Sequence, residues 1–179
     1  ILEYCRVLHL ALEGTTVQFE MIVIDDGSKE DICAETKRKL KKMSAIKFYE
    51  SHQNKGPGVA RDYGLQFSSG KWVWFLDDDD ELDPKGLKTL VDALSSEFRK
   101  EDVIAHSLQN DYSYHAGELA EKIIEKLLYF REKQEVFNYI FRRKFLLSNE
   151  IKFSEGFHED IRYLYQVFSE MSGFHILPR

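Results

Sequence analysis

Two strand-like runs in this chain end in carboxylates. Phe19-Glu-Met-Ile-Val-Ile24 leads into Asp25-Asp26, and Trp72-Val-Trp-Phe-Leu76 leads into Asp77-Asp78-Asp79-Asp80. A third acidic pair, Glu159-Asp160, opens an amphipathic segment. Adjacent carboxylates repel, which raises their pKa values unless a cation neutralises them. A hard divalent cation takes oxygen ligands, and Mg²⁺ needs only one or two carboxylates when phosphate oxygens supply the rest. Alternation along an extended segment puts Asp77 and Asp79 on one face and Asp78 and Asp80 on the other. One of those pairs faces a site; the other caps the next helix or meets solvent. A carboxylate at a helix start can act as a general base when a partly dry site raises its pKa. It can equally do no more than favour the helix N-terminus electrostatically. For the acidic run, the ordinary alternative is a solvated turn.

These residues are positioned by alternating elements. Ile1 to about Leu12 reads as a helix with Leu2, Val7, Leu8 and Leu12 as apolar positions. The strand ending at Ile24 is followed by a helix to about Met43, capped by Ser28 or Asp31. Ile46-Lys-Phe-Tyr49 alternates as a short strand. Asn54-Lys-Gly-Pro-Gly58 is a loop, with Gly56 and Gly58 allowing a tight turn. A helix then runs to about Phe67, where Ser68-Ser-Gly70 stops it. Asp83-Pro84 starts another helix, with Asp as cap and Pro in the first turn. In the second half, Asp102 to Ser107 and His175 to Leu177 read as strands. Glu118 to Phe130 and Arg142 to Leu147 read as helices. Glu159 to Met171 reads as a helix with Ile161, Leu164, Tyr165 and Phe168 on its core face. The β-α-β-α-β-α order predicts an α/β fold, a mostly parallel sheet with helices on both faces. Both acid-ended strands then deliver their aspartates to one sheet edge, where ligands bind in such folds.

Composition narrows the function classes. A chain of 179 residues, 43% hydrophobic and 31% charged, fits one soluble globular domain. A net charge of −6 gives no reason to expect nucleic acid as a partner. Two cysteines, Cys5 and Cys33, make no disulfide framework and fit a reducing, cytoplasmic setting. No apolar stretch approaches the roughly 20 residues of a membrane span. The basic run Lys37 to Lys42 reads as the solvated face of a helix, with peripheral contact to anionic lipid at the inner membrane face as its alternative.

The motifs taken together resemble the family-two glycosyltransferases. They are Asp25-Asp-Gly-Ser28, Asn54-Lys-Gly-Pro-Gly-Val-Ala-Arg61, Gly70-Lys-Trp-Val-Trp-Phe-Leu-Asp-Asp-Asp-Asp80 and Glu159-Asp160, with Val136 to Phe145 and Ile151-Lys-Phe153 between the last two. The resemblance runs from about Phe19 to about Phe168. It implies a GT-A-type, Rossmann-like fold. It also implies an inverting, metal-dependent transfer of a sugar from a nucleoside diphosphate sugar, a UDP-sugar first among them. The acceptor class it implies is a saccharide or lipid-linked molecule, in surface polysaccharide or glycan synthesis. By the same resemblance Asp26, with Asp25 beside it, reads base and ribose, and Arg61 lies near the nucleotide. Asp77-Asp78-Asp79 matches the D-x-D motif: Asp79 as ligand of Mg²⁺ or Mn²⁺ with Asp77 supporting, and Asp77 and Asp78 on ribose and phosphate. Asp160 matches the general base, with Glu159 next to it.

The implied organisation is a single domain over residues 1–179. Residues 1–100 form a nucleotide-sugar-binding half and residues 101–179 an acceptor-side half. The resemblance also implies a first strand ahead of Ile1 and further sequence beyond Leu177, a chain truncated at both ends. Asp62 stands where the family usually has Asn. Two other readings compete. A sugar-nucleotide nucleotidyltransferase would want a Gly-rich, Arg- and Lys-bearing loop after its first strand. A non-catalytic calcium module of EF-hand type would need Gly and Glu where counting from Asp77 gives Leu82 and Lys88.

Overall fold

The computed structural model describes residues 1–44, 46–95, 101–106, 125, 135–154, 156 and 158–177. Helix α1 (Leu2–Leu12) is followed by β1 (Met21–Asp25), α2 (Glu30–Leu40), β2 (Ile46–Glu50), α3 (Pro57–Phe67), β3 (Trp72–Trp74) and α4 (Pro84–Ser95). Then come β4 (Val103–Ala105), a 3₁₀ turn (Val136–Asn138), β5 (Tyr139–Arg142), α5 (Arg143–Ser148), α6 (Glu159–Glu170) and β6 (Phe174–Ile176). The helix expected at 118–130 lies outside the described residues, apart from residue 125.

The described strands form two hydrogen-bonded sheets. β1 and β2 pair in parallel, with Asp25 opposite Glu50. The second sheet has the order β3-β5-β4-β6. β5 runs antiparallel to β3 and β4, whereas β4 and β6 are parallel. The α/β class is as expected, with the parallel pairing concentrated in β1–β2 and β4–β6. β1 and β3 belong to different hydrogen-bonded sheets among the described residues.

The second sheet is covered on both faces because its residues alternate. Val103, Ala105, Tyr139 and Phe141 join one core with Tyr163, Leu164, Val167 and Phe168 of α6. Ile104 and Ile140 join the other, with Val7 and Ala11 of α1 and Leu87, Leu90 and Val91 of α4. β3 follows the same rule. Trp72 and Trp74 pack toward the α1–α4 side, and Val73 and Phe75 toward the α6 side. That phase turns the next odd-numbered residue, Asp77, toward α6.

The core face of α6 differs from the expected one. Tyr163 and Val167 are buried with Leu164 and Phe168, while Tyr165 is 51% exposed. Tyr163 stacks on Phe153, with ring centroids 3.9 Å apart. The helix is therefore rotated relative to the predicted stripe, because a large aromatic platform beneath it takes Tyr163. At α2, Lys29 stands at the N-cap with no side-chain cap bond, in place of Ser28 or Asp31. The Asp83 cap of α4 is as expected: its Oδ2 accepts the Gly86 N–H at 2.6 Å.

Glu20 ties the two sheets together at the strands' N-terminal side. Its carboxylate pairs with Lys47 of β2 at 2.6 Å and accepts the N–H groups of Ser69 and Gly70, just ahead of β3. Burial alone would raise the Glu20 pKa, but those partners outweigh it and hold it at about 2.

Candidate active site

α3 and its approach loop bring the acidic segments together. The Asp25-Asp26-Gly27-Ser28 turn packs against the Gln53–Gly56 loop. A Cβ on Gly27, where φ is +82°, would lie 2.8 Å from the Asn54 nitrogen. Only glycine combines that dihedral with that approach. Asp26 accepts the Lys55 N–H at 2.9 Å and the Gly56 N–H at 2.7 Å, so its carboxylate organises the entry to α3. Gly56 (φ +88°) is the N-cap and Pro57 the first helical residue. Gly58, expected in the turn, lies inside α3 instead. There a Cβ would come within 2.9 Å of the Phe153 Cβ, so the small residue permits close packing of α3 on the 151–154 segment.

That packing points Arg61 at three carboxylates. Its Nη2 donates to both Asp77 oxygens, at 2.9 and 2.7 Å. Its Nη1 donates to Asp160 Oδ1 at 2.5 Å and to Glu159 Oε1 at 3.3 Å. The guanidinium lies 5.3 Å from the Phe153 ring centroid, and the side chain is only 9% exposed. Arg presents planar donors in a fixed fork, which suits several carboxylates at once. One positive charge against three negative ones leaves the cluster anionic.

Asp160 lies in the first turn of α6, and its second oxygen accepts the Val136 N–H at 3.0 Å. Burial pushes its carboxyl above the usual range, with the Val136 N–H and Arg61 acting against that rise. His158 is the N-cap of α6 in the left-handed region, φ 62°, and makes no side-chain cap bond. Asp62 accepts the Phe153 N–H at 3.3 Å and is likewise pushed up by burial.

The acidic run forms a closed turn, not a continued strand. Asp77 N–H donates to Asp80 Oδ2 at 2.7 Å, and Asp80 N–H to the Asp77 carbonyl at 3.3 Å. Asp78 and Asp79 lie at the tip, exposed, so the face alternation expected along 77–80 ends at Asp77. Asp25 sits apart from Arg61. Its Oδ2 pairs with Lys37 of α2 at 2.6 Å, and its Oδ1 accepts the Ser28 N–H. Lys37 also pairs with Glu50 at 3.2 Å, so this member of the basic run is spent on strand ends instead of a solvated face.

Among the described residues, no group of three or more His, Cys, Asp or Glu side chains converges as a metal site. The donor set does not suit a cation held by protein alone. Asp79 lies at the exposed tip of the turn, whereas Asp77 already gives both oxygens to Arg61, so a divalent ion there would need most of its ligands from phosphate oxygens.

Tyr4 belongs to none of the sequence motifs, yet it reaches the acidic turn. Its hydroxyl donates to the Asp77 carbonyl at 2.7 Å and also contacts the Asp80 carbonyl. A tyrosine in step with Val7 and Ala11 on a buried helix face was the available signal, because a buried phenol needs a polar partner.

The chain belongs to Glycosyl transferase family 2, whose profile matches residues 5–154. It is 29% identical over 167 residues to the succinoglycan biosynthesis protein ExoO of Rhizobium meliloti, covering 82% of this chain and 45% of that protein. It is 40% identical over 73 residues to a GalNAc(5)-diNAcBac-PP-undecaprenol beta-1,3-glucosyltransferase of Campylobacter jejuni, covering 40% of this chain and 24% of that one. In fold it is similar to S. aureus TarS 1-349 in complex with UDP-GlcNAc. That match has a TM-score of 0.67 and 21% identity, and covers 94% of this chain and 50% of TarS 1-349. The fold is thus of the GT-A glycosyltransferase type. The chain spans less than half the length of each of these curated relatives.

Proposed function

We propose that this chain carries the catalytic centre of an inverting glycosyltransferase that uses a nucleoside diphosphate sugar, of the UDP-sugar class, and a divalent cation. The observation that carries this reading is the bridge Arg61 makes between Asp77 of the acidic turn and Asp160 of α6. It sets a candidate donor group and a candidate base on either side of one cation. Family membership and the UDP-GlcNAc complex of the structurally similar TarS support the same donor class.

Asp26, steadied by the Asp25 turn, meets base and ribose. Asp77 and Asp78 face ribose and phosphate, and Asp79, with Asp77, would hold Mg²⁺ or Mn²⁺. Such an ion would supply charge to neutralise the diphosphate. Arg61 adds a fixed positive charge beside the leaving group, in a partly dry site where such charge counts for more. Asp160 takes the proton of the acceptor hydroxyl, with Glu159 beside it. The acceptor oxygen forms a bond to the anomeric carbon on the face opposite the bond to phosphate, which breaks. The nucleoside diphosphate leaves with that electron pair. Burial already biases Asp160 toward proton uptake, as a base requires.

The acceptor is a saccharide or a lipid-linked molecule, in polysaccharide or glycan synthesis. The names of ExoO and the undecaprenol-linked glucosyltransferase describe that chemistry in similar proteins. Residues 1–100 serve the donor and 101–179 the acceptor, within one domain. No helix among the described residues is long and apolar enough to cross a membrane. In this proposal the chain works in the cytoplasm, in peripheral contact with the inner membrane face when its acceptor is lipid-linked.

Calorimetry of UDP with and without Mn²⁺ tests the donor side, on wild type and Asp79→Asn. Wild type should bind UDP in a Mn²⁺-dependent way, and the variant should lose that dependence while keeping its melting temperature. Equal metal dependence in both proteins would remove Asp79 from the role.

A further inference from the structure

The acidic turn carries three exposed carboxylates in sequence, Asp77, Asp78 and Asp79, of which Asp77 also meets Arg61. Their repulsion favours an open loop, yet the backbone is closed. One closure is internal, through Asp80 Oδ2 and the Asp77 N–H at 2.7 Å. The other comes from 73 residues away. The Tyr4 hydroxyl donates to the Asp77 carbonyl at 2.7 Å and meets the Asp80 carbonyl, which gathers both ends of the turn onto one oxygen.

Tyr4 is itself fixed. It is 8% exposed, on the face of α1 that packs against α4 through Val7 and Ala11. α4 begins directly after the turn, at Pro84. The hydroxyl therefore grips the turn from a scaffold that also anchors the turn's exit. Being neutral and bonded to carbonyls, it shapes the turn without spending any carboxylate charge.

We propose that Tyr4 is a positioning residue of the donor site: its hydroxyl holds the Asp77–Asp80 turn in the shape that presents Asp77 and Asp79 to a divalent cation and a nucleoside diphosphate. This rests on the donor-site reading of the turn given above.

The test is Tyr4→Phe, which keeps the ring and removes the hydroxyl. UDP affinity is measured by calorimetry in Mn²⁺ and in EDTA, beside the melting temperature without ligand. Loss of one polar contact should weaken Mn²⁺-dependent UDP binding about tenfold and raise the Mn²⁺ needed for half-saturation. Affinity in EDTA should not move. Equal loss in Mn²⁺ and EDTA, or wild-type binding in both, would overturn the role. A wild-type protein with no Mn²⁺-dependent UDP binding would sink the donor-site reading itself, and the role of Tyr4 with it. Should Tyr4→Phe fail to fold, site-specific 4-fluorophenylalanine at position 4 fills a similar volume without a donor, and 4-aminophenylalanine restores a neutral one. The first should weaken Mn²⁺-dependent binding and the second should keep it; equal binding by the two would reject the proposal.

Discussion

Arg61 of α3 donates to Asp160 of α6 across 99 residues of sequence, and the same guanidinium holds Asp77 of the acidic turn. The pair is set where Gly58 lets α3 approach the 151–154 segment that leads to α6. A buried cation is tolerated when carboxylates surround it, and the carboxylates tolerate one another because of the cation.

Removing that cation should be costly. Arg61→Met is expected to lower stability by about 3–5 kcal/mol, because it leaves Asp77, Glu159 and Asp160 together without a counterion. Urea midpoints check the size. The deficit should shrink as pH falls and the acids protonate. A deficit that does not change with pH would mean the loss is one of packing, not charge.

Asp160→Asn separates a base from a helix-end acid. Loss of a positioned base should cut transfer by roughly 10²–10⁴ with UDP affinity unchanged. A purely structural acid would cost stability and leave the rate per folded molecule intact. Because burial raises the Asp160 pKa, wild-type turnover should climb with pH through a value above the ordinary 3.8. Turnover assays of an active protein containing this chain decide it; near-wild-type rates would move the role to Glu159.

Gly27→Ala should damage the entry to α3 at a distance from Arg61. The new methyl would meet backbone atoms of Gln53 and Asn54, and the φ of +82° is strained for alanine. A loss of about 1–3 kcal/mol is expected from the dihedral alone. UDP affinity should fall as well, since Asp26 loses its hold on the Lys55 and Gly56 N–H groups. Denaturant melts and calorimetry on the same variant report both effects.

Glu20 should dominate an acid-sensitive contribution to stability. Its pKa is about 2 in the folded chain against an ordinary 4.5, so between those values the unfolded state binds more protons. The contribution is present above pH 4.5 and is lost as pH falls toward 2. Glu20→Gln should therefore be less stable than wild type at neutral pH, with the two curves converging in acid. Curves that stay parallel would show that the tie between β2 and the Ser69–Gly70 segment is not ionic.

Local patterns carried much of this protein's reading. Period-2 and period-3.6 apolar spacing located the elements from α1 to α4, and Asp83-Pro84 marked a helix start that the structure keeps. Four ordered motifs were enough for the family, because spacing along the chain survives without coordinates. What those patterns left open is everything that depends on how elements rotate and meet. Tyr165 and Tyr163 are two residues apart on α6, and only the Phe153 platform decides which is buried. Asp25 and Asp26 are adjacent and alike, yet one pairs with Lys37 while the other organises the loop into α3. The insertion of β5 between β3 and β4 is a long-range pairing with no local signal. So is the reach of Tyr4 to the acidic turn and of Arg61 to Asp160. Short-range sequence encodes backbone preference and which face is apolar; the partner of a buried charge or hydroxyl is set by packing between distant segments, and that belongs to the tertiary structure.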